Sequence, residues 1–306
     1  MFPTFANSAR RMTVSGLSNG VTTNSAVATV VKREMATLKD LKLRINATTN
    51  ISKITKSMQM IASTKLSRAQ REMVTARKHG ASLLSFYKNA ETQTAQGGEG
   101  KTLYIAVSSD KGLCGGCHSY VSRFVRDQLK AEENPANADV VVLGDKARAQ
   151  LTRFAPSNMT LSFNHLGSKP PTFYEASLIA SEILKLPNEY KSIKLVYNRF
   201  QSAIAYETGF FPIHTPQELA QSAKINAYEV EDDAMQSLYE FNLTNAIFCA
   251  MIDGYASETS AKMSAMDNAT KNAGELIGKL TIVYNRSRQA AITTELVDII
   301  TGASAL

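Results

Sequence analysis

The chain has 306 residues, 44% of them hydrophobic and 20% charged, with a formal net charge of +7. That length supports one or two domains with a sizeable core, and no apolar run is long enough to cross a membrane. Three cysteines (Cys114, Cys117, Cys249) are too few for a disulfide scaffold and point to a reducing compartment; the positive balance suits nucleic acid, an acidic membrane face or an acidic protein surface.

Residues 1–33 stand apart. They hold four basic residues (Arg10, Arg11, Lys32, Arg33), many Ser and Thr, and no Asp or Glu. An acid-poor segment bearing Arg and Ser reads as a mitochondrial transit peptide, with cleavage expected between about residues 20 and 35. A disordered basic tail is the plainer alternative.

Residues 34–92 read as one long helix. Proline is absent from Thr4 to Asn134, and glycine is absent from Glu34 to His79, so neither helix breaker interrupts the segment. Leu38, Leu41, Ile45, Ile51, Ile54, Met58, Ile61, Leu66 and Met73 recur mostly at steps of three and four. A stripe that narrow is the seam of a coiled coil, and the break between Ile45 and Ile51 predicts an irregular supercoil. Ten basic residues against three acidic ones lie between Glu34 and His79; some simply solvate the helix.

After a Gly-rich linker at 93–100, residues 100–216 change period. Runs rich in Val, Ile, Tyr and Phe at 102–110, 139–145, 159–166, 192–200 and 203–211 predict strands. Helices are expected at 116–130, 145–153 and 173–185. The alternation gives a mostly parallel, Rossmann-like α/β domain, closed by a hairpin at Gln201 and Ser202. No proline follows Pro216, and residues 226–306 read as a second long helix. Met263, Met266, Ala273, Ile277, Leu280 and Tyr284 form its stripe. At 1.5 Å per residue the two helices would run about 80 and 110 Å, longer than a compact domain, so they are expected to pair antiparallel as a rod. Ile54 and Ile61 are its seam candidates on one side, Ile277 and Leu280 on the other.

The run SSDKGLCGGCHSY at 108–120 carries Cys114, Cys117 and His118 at haem-attachment spacing. No second axial ligand accompanies it. A dithiol redox pair fits better at a helix start, where thiol pKa falls, but no aromatic residue precedes Cys114. The glycines lack both phosphate-loop spacings, so a tight strand–helix turn is the reading adopted. His79, His118, His165 and His214 are scattered, and neither a metal motif nor a nucleophile elbow is present. No catalytic, cofactor or metal site is expected. Nucleic-acid binding through the basic helix would call for stacking aromatics, and Glu34–Ser85 contains no Phe, Tyr or Trp.

Three stretches together, ATLKDLKLRINATTNISKITKSMQMIASTKLSRAQ (36–70), SSDKGLCGG (108–116) and the C-terminal 265–306, resemble the γ-subunit family of F-type ATP synthases in its mitochondrial form. The resemblance implies a non-catalytic central rotor shaft, coupling rotation of the c-ring to the β-subunit catalytic sites. Its implied partners are the α and β subunits of the ring, the δ and ε subunits and the c-ring. Its implied place is the matrix side of the mitochondrial inner membrane, held there through the complex. Lys53, Lys56 and Met58 match residues that face an acidic β-subunit loop; Arg288, Gln289 and Thr293 match residues that hydrogen-bond another β-subunit loop. Met58 alone would otherwise read as seam packing, and the polar three as exposed helix surface. Cys117 departs from the family pattern and leaves a redox role for the cysteine pair open.

Overall fold

The computed structural model describes residues 37–92, 100–132, 137–188, 190–220, 222, 224, 225, 228 and 234–305. The expected transit peptide and nearly all of the linker lie outside them. Helix α1 (Leu38–Asn89, 52 residues) and the last helix, α6 (Ala234–Ser304, 71 residues), span about 78 and 107 Å. They run antiparallel. Thr55 Oγ1 meets Thr270 Oγ1 at 2.8 Å, Gln59 Nε2 donates to Asp267 at 2.9 Å, and Asn242 Nδ2 donates to the Tyr87 hydroxyl at 2.6 Å, so partner numbers fall as α1 numbers rise.

The seam differs from the aliphatic stripe read in the sequence. Leu41, Thr48, Thr55, Ala62, Ala69 and Ala76 are buried at an unbroken interval of seven. Ile45, Ser52, Gln59, Leu66 and Met73 repeat the interval four residues later, buried or half-buried. Ile51, Ile54 and Ile61 point away from it, with Ile54 59% and Ile61 58% exposed. The expected break after Ile45 is therefore absent. Small side chains set the helix separation, and the buried threonines satisfy themselves, Thr48 donating to the Arg44 carbonyl and Thr55 to that of Ser52. On α6, Met266 and Ala273 are buried, while Thr270, Ile277, Leu280 and Tyr284 are half-buried on the same face. From Arg288 on, α6 has passed the start of α1, and every described residue but Ala291 is exposed.

Five strands lie between: β1 (Lys101–Val107), β2 (Ala138–Leu143), β3 (Met159–Phe163), β4 (Tyr190–Phe200) and β5 (Tyr206–Ile213). Their order is β3-β2-β1-β4-β5, parallel except for the antiparallel β4–β5 pair. Turn bonds from the Gln201 and Ser202 amides to the Ala205 carbonyl delay β5 to Tyr206, three residues beyond its expected start. Helices α2 (Cys117–Ala131) and α3 (Asp145–Leu151) carry Val121, Val125, Leu129, Ala147 and Leu151 onto one face of the sheet. The other face packs on α4 (Phe173–Leu184) and on Leu243, Ile247 and Met251 of α6. β2, covered on both sides, is buried along all six residues. A short α5 (Pro216–Ala220) follows β5. α6 begins at Ala234, later than the expected 226.

One arginine binds rod to sheet. Arg77 Nε on α1 lies 3.0 Å from an Asp253 oxygen on α6, and Arg77 Nη2 donates to the Phe200 carbonyl on β4 at 2.6 Å. The sheet's C-terminal edge, where β1 ends, is thereby held against the shaft.

Candidate functional site

Lys53 and Lys56 extend from α1 into solvent; among the described residues neither is in an ion pair. On α6, Asp267 binds Lys271 at 2.7 Å and Gln59 at 2.9 Å; these contacts hold its carboxyl below the usual range, with a smaller push from Lys56. The basic face is thus short of anions of its own. Met58 is half-buried and lines a cleft of about 260 Å³ between the rod and the loops above the sheet, with Lys65, Lys111 and Lys262 around it. It therefore stands between packing and contact.

Arg288, Gln289 and Thr293 lie on the overhanging part of α6, all exposed. Thr293 Oγ1 donates back to the Gln289 carbonyl at 2.9 Å, which leaves its lone pairs outward as acceptors. By helical rise these residues sit about 24 to 32 Å along the axis from Lys53, so the fold sets the two groups of residues well apart. The surface near the second group is apolar: Ile292, Leu296, Val297, Ile299 and Ile300 are each about half exposed or more.

The glycine-rich turn after β1 is tightly built. Asp110 accepts the Asp145 amide at 2.7 Å and the Leu166 amide at 3.0 Å, which joins the ends of three strands. A Cβ on Gly144 would lie 2.6 Å from the Ser109 backbone, and one on Gly167 would lie 2.6 Å from the Ser109 side chain. Leu113 and Gly115 flank Cys114 at φ values of +62° and +61°. His118 is buried, with Nε2–H donating to the Lys111 carbonyl at 2.9 Å and Nδ1 at 2.9 Å from Ser108 Oγ. The run is a turn, as its glycines suggested, and it also brings the two cysteines together in the core. Among the described residues, no group of three His, Cys, Asp or Glu could hold a metal, and no helix is long and apolar enough to cross a membrane.

Comparison with known proteins fits this architecture. The family model described as ATP synthase matches residues 37–306. The mitochondrial ATP synthase γ subunit of Pichia angusta is 51% identical over 89% of this chain and all of its own length. That of Saccharomyces cerevisiae is 44% identical, covering 90% of each chain. A chain from the Euglena gracilis mitochondrial ATP synthase, in a structure of its OSCP, F1 and c-ring in rotational state 3, superposes with a TM-score of 0.74. It covers 88% of this chain and 94% of its own at 19% identity, a likeness of fold. With a family match from Thr37 to the C-terminus and full-length relatives at such identity, the chain belongs to the mitochondrial ATP synthase γ subunits.

Proposed function

We propose that this chain is the central shaft of a mitochondrial ATP synthase, turning with the c-ring and carrying rotation to the catalytic β subunits without catalysing a reaction itself. Family membership supports the reading, and one structural observation carries it: a rod of two paired helices whose second strand outruns the first into an exposed apolar tip. A ring of three α and three β subunits would enclose the tip and upper rod. The α/β domain would lie nearer the δ and ε subunits and the c-ring, on the matrix side of the inner membrane. Lys53 and Lys56 would meet an acidic β-subunit loop across their unpaired face, with Met58 at its margin. Arg288, Gln289 and Thr293 would hydrogen-bond a second β-subunit loop.

The mechanism needs no chemistry from the shaft. An asymmetric rod presents a different face to each of three equivalent sites, and differential contacts shift each site among its conformations. As the rod turns, each site passes through the same cycle in sequence. Separating the two groups along the axis lets one loop sense charge while the other senses the tip.

Affinity purification through this chain tests the assignment. Recovery of α and β subunits in one complex with ATPase activity is expected; recovery of the chain alone from mitochondria would overturn it. The leader is tested on the same material. N-terminal sequencing is expected to begin between about residues 20 and 35, and an intact Met1 would remove the proposed transit peptide.

A further inference from the structure

A cavity of about 420 Å³ lies where the two long helices meet the sheet, and none of the six expected contact residues lines it. One wall is a stripe of α6 at helical spacing, from Asn242 to Asp253; α1 closes it between Arg77 and Tyr87. The floor is the rod-facing side of the β4–β5 hairpin, where Leu195, Tyr197 and Arg199 alternate along β4. Asn242 to Asp253 spans about 16 Å by helical rise, so a cavity of 420 Å³ has a mean section on the order of 25 Å². It is a slot. A section that small suits a single unbranched chain and not a fused ring system.

The slot has an apolar waist and a charged mouth. Leu195, Phe211, Ala246 and Ala250 line the waist, and Phe211 pairs with Leu195 across the hairpin. Arg199 is exposed at the mouth, and the carbonyl of the next residue, Phe200, accepts from Arg77. Asp253, the carboxylate on this wall, is held by Arg77. Glu207, opposite Arg199 in the hairpin register, accepts instead from Gln201 Nε2 at 2.8 Å. Two guanidiniums against one carboxylate leave a single positive charge. The polar groups left over are donors: among the described residues the Tyr197 hydroxyl, the Arg199 guanidinium and Asn245 Nδ2 make no hydrogen bond. Asn245 is 5% exposed, and its Oδ1 is met by the Cys249 thiol at 4.0 Å. A buried N–H without an acceptor is costly, so its partner has to come from the contents of the slot. At the far end Asn242 and His214 are already engaged, with Tyr87 and Glu218.

We propose that this slot is a binding site for a linear monocarboxylate of medium chain length, a free fatty acid. The carboxylate takes charge-assisted hydrogen bonds from Arg199 and the Tyr197 hydroxyl at the mouth, and the chain lies along the apolar waist, the usual division of labour in a small-molecule site. Asn245 Nδ2, further in, donates to a water enclosed with the chain. One positive charge matches a monoanion, whereas a phosphate brings no apolar body to fill the waist. Because the walls come from α1, α6 and the hairpin, a bound acid fastens shaft to sheet beside Arg77 and stabilises the folded chain by mass action.

The test is photolabelling of the purified complex with a diazirine-bearing decanoate, followed by tryptic mapping. Cleavage after Lys194, Arg199, Lys224 and Lys262 gives peptides 195–199, 200–224 and 225–262, which carry the β4, β5 and α6 walls. Saturable label is expected in these peptides, and unlabelled decanoate should remove it. Decanol and inorganic phosphate each lack one half of the match and should compete about tenfold less well or worse. Arg199→Gln should weaken labelling by about tenfold, and Ala246→Phe, which fills the waist, should abolish it. Label on other subunits with none in these peptides, competition by decanol equal to that by decanoate, displacement by phosphate, or no saturable label because the slot holds water only would each overturn the proposal. The competition arms use the native chain and decide the matter even where a variant fails to assemble.

Discussion

Gly144 has φ +97°, and the Ser109 backbone sits where its Cβ would be. Backbone strain of that kind costs about 1–3 kcal/mol, and overpacking adds a comparable amount. Gly144→Ala should therefore lower stability by about 2 kcal/mol or more, read as the denaturant midpoint of the isolated chain; an unchanged midpoint would show that the turn yields. Lys53 and Lys56 call for the opposite experiment. Changing both to Glu alters an exposed surface and should leave the midpoint within about 0.5 kcal/mol. Placing like charges across an interface is costly, so ATP turnover by the assembled complex should slow on the order of tenfold, equivalent to about 1.4 kcal/mol on the barrier. Unaltered turnover in a fully assembled double variant would remove the acidic-loop contact. The charge surplus on α1 could be counted in the sequence. The position of Met58 could not, because its cleft exists only once the loops above the sheet have packed against the rod.

At the scale of elements, both long helices and all five strands were legible, for simple reasons. Proline and glycine are absent where the helices run, and β-branched and aromatic residues crowd where the strands run. The seam was harder to read. A stripe traced through large aliphatic residues leads to Ile54 and Ile61, whereas the rod closes on alanine and threonine, whose small size permits close approach and whose hydroxyls bond within their own helix. The two readings separate in one experiment. Leu66 is buried in one apolar cluster with Tyr255 and Ile252, and Leu66→Ala should cost about 2–5 kcal/mol. Ile54→Ala should cost less than about 0.5 kcal/mol in the isolated chain. Comparable losses in unfolding free energy would restore the aliphatic seam.

Across the whole molecule, the shaft is fastened at one end and free at the other. Arg77–Asp253 and Tyr87–Asn242 tie the helices where the α/β domain grips them, while among the described residues every one from Arg288 on except Ala291 is exposed. Opening should therefore proceed from the free end. Amide hydrogen exchange in the isolated chain is expected to show protection rising along α1 from Leu41 toward Tyr87, with residues 292–304 of α6 least protected. Uniform protection along α1 would mean that the rod opens as one unit.

The seam's composition also bears on how the chain is made. Thr55 and Thr270 are 215 positions apart, so α1 leaves the ribosome long before its partner exists. At about 5–20 residues per second, the stretch between the two helices keeps it waiting on the order of ten seconds. A lone helix draws most of its stability from packing, and one lined with leucine would offer nascent neighbours a sticky edge throughout that interval. Between the larger Ile45, Leu66 and Met73, the seam positions Thr48, Thr55, Ala62, Ala69 and Ala76 present little to adhere to. The α/β domain, translated in between, can fold first and then bring the two strands of the shaft into register from its own end outward.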